Sequence, residues 1–166
     1  MERTLLEQRP MLRWLWLSAL VLLLDYMTKG LAEAHLAFNE PVSLLPFLDL
    51  RLLYNTGAAF SLLADAGGWQ RWLFALLAIA VSVALVVWLG RLSRGEKPLA
   101  AGLALIIGGA LGNLVDRLSQ GYVVDFIDVH YAGWHWPAFN VADAAITIGA
   151  ALIIWDAFRS RGEEET

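Results

Sequence analysis

Four stretches of the chain stay apolar for roughly the 20 residues or so that a helix needs to cross a bilayer. They lie near residues 12–33, 70–90, 98–117 and 138–157. The second carries no charge from Trp72 to Gly90, whereas in the first the apolar run from Trp14 to Leu24 gives way to Asp25 and Lys29. Ala32-Glu33-Ala34 resembles a cleavage site behind a signal-peptide core. The long gap from Leu24 to that site, with Asp25 and Lys29 inside it, favours an uncleaved first span. Between the spans the period changes. In residues 34–69, Asp49 and Arg51 alternate with Leu48, Leu50 and Leu52, a strand pattern that ends at the Asn55-Thr56-Gly57 turn. The next segment, AAFSLLAD at 58–65, predicts a short amphipathic helix on the membrane surface. In residues 118–137, VVDFIDVHY predicts a further strand. Residues 1–166 are expected to form a single membrane-embedded domain.

Lysine and arginine set an orientation. Eight of the twelve basic residues (Arg3, Arg9, Arg13, Arg91, Arg94, Lys97, Arg159 and Arg161) fall on one side of this four-span arrangement. That side is the cytoplasm, so both termini are expected there and residues 34–69 and 118–137 outside. All eight tryptophans lie near predicted span ends, as interfacial belts require.

Composition narrows the chemistry. At 58% hydrophobic and 17% charged, the chain is too apolar for an ordinary soluble domain. A net charge of −4 without a basic stripe speaks against a nucleic-acid partner. Without cysteine there is no disulfide, thiolate nucleophile or cysteine metal site. His35, His130 and His135 lack metal-site spacing, so neither metal nor cofactor is expected.

The orientation brings polar residues of unrelated segments to one face. Asp25 and Lys29 fall in the outer part of span one, Asn113, Asp116 and Arg117 at the outer end of span three, and Asn140 and Asp143 at the outer start of span four. Asp125 lies just outside span three. An aspartate at a helix centre costs about 2.5–3.5 kcal/mol on the insertion scale, and intramembrane ionisable groups mark functional sites by default. Two neighbouring carboxylates share one proton, so that one activates water while the other polarises a carbonyl. Asp125 and Asp143 are candidates for such a pair, with asparagines to orient a substrate and arginine to stabilise an oxyanion.

Taken alone, Asp25 and Lys29 read as an i,i+4 ion pair at a span end. Asp49, Asp65 and Asp128 read as exposed carboxylates, His130 and His135 as loop residues, and Gly108-xxx-Gly112 as a helix-packing face. A transporter would also use intramembrane Asp and Lys, but with polar groups spread through the membrane depth and a repeat between halves. A non-catalytic scaffold built on Gly108 and Gly112 would leave Asp125 and Asp143 unexplained.

Five motifs, in order, resemble the bacterial lipoprotein signal peptidase family, signal peptidase II. They are DYMTK at 25–29, YNTGAAFS at 54–61, GGALGNLVDR at 108–117, VVDFI at 123–127 and FNVADAAITIG at 139–149. Tyr26 departs from the glutamine common in the family. The resemblance implies a mainly α, integral membrane fold of four transmembrane helices, with a small extracytoplasmic β-sheet and a short surface helix. It implies an aspartic endopeptidase of the bacterial inner membrane that cleaves a diacylglyceryl-modified prolipoprotein just before its lipidated cysteine. Asp125 and Asp143 would form the catalytic pair. Asn55, Gly57, Asn113, Arg117 and Asn140 would bind substrate, and Asp25, Lys29 and Asp116 would support the site. Membrane lipids, a monomeric state and sensitivity to globomycin are part of the same expectation.

Overall fold

The computed structural model describes residues 9–57 and 67–164, with side chains to Arg159. A short 3-10 turn, Pro10–Trp14, leads into helix α1, Leu15–His35. Strands β1, Val42–Leu45, and β2, Leu48–Asn55, follow, then helices α2, Trp69–Leu89, and α3, Lys97–Ser119. Strands β3, Val123–Tyr131, and β4, Trp134–His135, precede helix α4, Val141–Glu164. The four helical segments Pro10–His35, Trp69–Leu89, Lys97–Ser119 and Val141–Arg159 are each long and apolar enough to cross a membrane. Each agrees with a predicted span to within a few residues. The helix expected at 58–65, with Asp65, lies outside the described residues.

Small residues make α3 the central helix. Ala100, Gly102, Ala104, Gly108, Gly109 and Gly112 are all buried along it, and they let backbones approach where larger side chains would hold them apart. A Cβ at Gly108 would come within 2.8 Å of the Ser18 carbonyl on α1, and one at Gly102 within 2.8 Å of the Gly149 carbonyl on α4. The Ser18 hydroxyl uses this closeness to donate to the Ala104 carbonyl at 2.6 Å. The packing role read for Gly108 and Gly112 therefore holds. Leu73, Leu76, Leu77, Val83 and Val87 of α2 stay exposed, the surface a lipid solvent calls for.

The antiparallel sheet has the order β1-β2-β3-β4 and joins the two inter-span segments through β2 and β3. It covers the end of the bundle where α1 and α3 finish and α4 begins, packing Leu52, Val124 and Phe126 on Ala32. Short strands β1 and β4 widen it beyond the two strands that alternation predicted. Register runs Leu53↔Asp125 and Asn55↔Val123, with an irregularity between Leu50 and Leu53.

One expectation is corrected here. Asp49 and Asp128 are not exposed: their residues are 7% and 3% accessible. They face each other across β2 and β3 and are covered by Arg51, His130 and His135. Alternation reports which residues share a face, but not that neighbouring strands bring charged side chains over it.

Gly109→Ala, whose new methyl would press on the Ala142 carbonyl and Ile146, should lower the thermal midpoint in detergent. Overpacking of this kind costs about 1–3 kcal/mol. Gly30→Ala, with nothing within 4 Å of its new Cβ, should leave the midpoint unchanged or higher. Equal midpoints for the two variants would contradict the close approach of α3 and α4.

Candidate active site

The start of α4 explains how a carboxylate is placed at the end of an apolar helix. Asn140 caps the helix: its Oδ1 accepts from the Asp143 amide at 2.9 Å, and Asp143 Oδ2 accepts from the Asn140 amide at 3.3 Å. This is a reciprocal capping box, and it satisfies amides that a helix start leaves without partners. Asp25 reaches over from α1 and takes a third, the Ala142 amide, at 2.9 Å. Asp143 thus sits in the first turn, where the helix dipole favours negative charge. The Asn-Val-Ala-Asp spacing carries this signal in the sequence, and the pattern reading missed it.

Asp125 arrives from the other direction, on β3. It is 3% accessible and is held by Asn140 Nδ2 at 2.8 Å on Oδ1 and by Asn55 Nδ2 at 3.2 Å on Oδ2. Asn140 therefore contacts both acids, one through its side chain and the other through its backbone. Asn113 supplies a further link, donating from Nδ2 to Asp143 Oδ1 at 2.7 Å.

The orientation of Asn113 is fixed by a buried ammonium. Lys29 Nζ lies 3.0 Å from Asn113 Oδ1, 2.7 Å from Asp25 and 2.9 Å from Asp116. An ammonium only donates, so the atom facing it must be the carboxamide oxygen. The Asn113 nitrogen is left to serve Asp143. Asp116 Oδ2 also accepts from the Val124 amide at 3.1 Å, fixing the strand next to Asp125. By spacing alone, Asp25 and Lys29 form a local ion pair, and Asp116 lies far from both in sequence. Together they join α1, α3, α4 and β3.

Arg117 donates to the Gly57 carbonyl at 3.0 Å and lies 5.2 Å from the centre of the Phe74 ring. Gly57 in turn donates its amide to Asn55 Oδ1 at 2.9 Å, so the turn after β2 is tied to both Asn55 and α3. All ten candidate residues are thus brought to one end of the bundle.

Both acids line a cavity of about 900 Å³, together with Asn55, Asn113 and Arg117. Trp136, Pro137, Ala138 and Phe139 supply an apolar wall of the same cavity, and Ile146 and Ile148 of α4 add to its lining. Nothing in their residue types marks them as site residues; only the path of the chain after β4 puts them there. Burial pushes the Asp125 carboxyl up to about 7, and repulsion from Asp143 adds to it. Asp125 is therefore suited to hold a proton and donate it, while half-buried Asp143 opens to the cavity. A buried acid and an accessible one beside it can act on water and an amide together.

Comparison with known proteins identifies the family. Residues 17–159 match the family described as Signal peptidase (SPase) II. A lipoprotein signal peptidase of Pseudomonas paraeruginosa is 56% identical over 156 residues, covering 93% of this chain and 92% of its own. One of Shewanella baltica is 54% identical over 155 residues, covering 93% and 90%. A bacterial membrane enzyme solved by the in meso method at 2.3 Å superimposes with a TM-score of 0.82 at 30% identity, over 91% of this chain and 90% of that one. The four apolar helices and these relatives make the chain a multi-pass membrane protein, and it belongs to the signal peptidase II family.

Proposed function

We propose that this protein is an intramembrane aspartic endopeptidase that removes the signal peptide of a diacylglyceryl-modified prolipoprotein, cutting just before the lipidated cysteine. The observation that carries the reading is that carboxylates from β3 and α4 line one cavity and share Asn140 as a partner. Asp143 takes a proton from water as its oxygen attacks the scissile carbonyl. Asp125 donates a hydrogen bond to that carbonyl and stabilises the charge growing on it. Collapse of the tetrahedral intermediate, with a proton passed to the leaving nitrogen, yields a carboxylate on the signal peptide and a free amine on the cysteine.

Substrate placement follows from the walls. Asn55, Asn113 and Arg117 line the cavity and offer donors to peptide carbonyls, and Gly57 leaves room for a backbone to approach. Asn140, fully buried with its Nδ2 held by Asp125, Asn113 and Val124, serves the acids in place of the substrate. The apolar wall accepts the end of the signal sequence and the lipid-bearing cysteine. A substrate anchored in one leaflet holds its scissile bond near the membrane boundary, the depth at which a site at the bundle end would lie. The charge distribution supports a bacterial inner-membrane location with both termini cytoplasmic and the site at the outer face. The enzyme would work as a monomer, and globomycin would compete for the same cavity.

Asp125→Asn and Asp143→Asn should each lower kcat for a lipidated precursor at least about a hundredfold while remaining folded in detergent. Cleavage at wild-type rate by either variant would refute the pairing. The raised Asp125 value gives a second test. Above pH about 7 Asp125 loses the proton it donates, so kcat/KM should fall there. Asn55 donates to the ionised form, so Asn55→Ala should move that alkaline limb to higher pH. The folded chain also holds a proton that the unfolded chain releases between pH about 4 and 7. Stability should therefore decline as pH rises through that window, and Asp125→Asn should flatten the decline.

A further inference from the structure

The sheet carries a second ionisable cluster outside the catalytic cavity. Asp49 and Asp128 are direct cross-strand partners, an arrangement in which like charges repel. Cationic and imidazole groups offset this. Arg51 Nη1 lies 3.7 Å from Asp128 Oδ2, and His130 Nε2 lies 3.2 Å from Asp49 Oδ2. His135 makes the shortest contacts, its Nδ1 lying 2.8 and 3.0 Å from the two oxygens of Asp128. Its ring also stacks on His130 with centroids 5.0 Å apart.

His135 ends β4, and the chain that follows it is the apolar wall of the cavity. That chain touches the β3 edge through its backbone on either side of an irregularity. The Trp136 amide donates to the Val129 carbonyl at 2.8 Å. Phe139 exchanges bonds with Ile127, at 3.0 Å from its amide and 2.9 Å to its carbonyl. Two residues, Pro137 and Ala138, thus stand against the single residue Asp128, and Pro137 has no amide hydrogen to offer a ladder. The wall is an arch, fixed at its far end by Phe139 and at its near end by a strand of only two residues. Asp128, 4% exposed in its side chain, stands beside the arch on β3, with its side chain on the opposite sheet face from that of Asp125.

We propose that the Asp128–His135 contact is a clasp that holds this arch against the substrate, making both of them positioning residues for substrate binding. The inference rests on the cavity being the place of cleavage. Because the carboxylate only accepts, His135 Nδ1 carries the hydrogen between them. The clasp acts on binding rather than on the chemical step, since Asn140, Asn113 and Lys29 hold the acids without contacting His135, and the Phe139–Ile127 pair separates the arch from Asn140.

The test compares full-length wild type with His135→Ala, His135→Asn, Asp128→Asn and the double variant His135→Ala/Asp128→Asn. Steady-state cleavage of a lipidated precursor and amide hydrogen exchange in detergent are the readouts. His135→Ala should raise KM about tenfold with kcat within about twofold. It should also speed exchange at the Trp136 amide and leave the Val124 and Asp143 amides at wild-type rates. Asparagine carries its nitrogen on Cγ as histidine carries Nδ1, so His135→Asn should recover most of the KM and the protection. The double variant should be no worse than the poorer single one, because both act through one contact. Wild-type KM and exchange in His135→Ala would overturn the proposal, as would a fall in kcat matching the fall in kcat/KM. If the wild type fails to cleave the precursor, the function is wrong, and the exchange comparison still decides whether the clasp exists.

Discussion

The site depends on one ammonium with three acceptors. Lys29 lies within an apolar helix, 4% exposed in its side chain, and gives its three hydrogens to Asp25, Asp116 and Asn113. A lone charge in such surroundings is expelled or neutralised, and removing one partner from a buried pair costs about 3–5 kcal/mol. The requirement to satisfy Lys29 therefore restricts the positions of its partners. Each partner is already committed elsewhere: Asp25 to the Ala142 amide, Asp116 to the Val124 amide, and Asn113 to Asp143. Position passes outward from the ammonium to the start of α4 and to β3, the two elements that bear the acids.

The two acids consequently sit in unlike environments. Asp125 is enclosed by the sheet and by asparagine donors, whereas Asp143 is open to the cavity from the first turn of a helix. Their inequality comes from burial and from helix capping, not from residue type. Of the asparagines that support the acids, Asn55 and Asn113 also line the cavity, whereas Asn140 is wholly buried behind it. The apolar wall is different, being built on a short strand and an arch at the sheet edge.

The helices were legible because membrane spans are long and a bilayer fixes their length. The face on which Asp25, Lys29, Asn113, Asp116, Arg117, Asn140 and Asp143 gather was legible from orientation alone. What sits between spans was harder to read. The strand at Asp49–Leu52 showed its alternation, but β1 and β4 are too short for a period to appear. Burial of Asp49 and Asp128 depends on charges delivered by other strands, which a local pattern does not contain. Trp136 to Phe139 look like ordinary interfacial residues until the chain path after His135 is known. Lys29 could be paired with Asp25 by spacing, yet its bonds to Asp116 and Asn113 span 87 and 84 residues.

Joint action of Asp125 and Asp143 on one peptide bond is what the proposed chemistry requires. Its most direct test is an experimental structure with a lipidated peptide analogue in which a hydroxyethylene group replaces the scissile amide. Joint action places the analogue's hydroxyl about 2.5–3.0 Å from a carboxylate oxygen of each aspartate. A hydroxyl reaching only one of them, or an analogue seated outside the cavity, would contradict it.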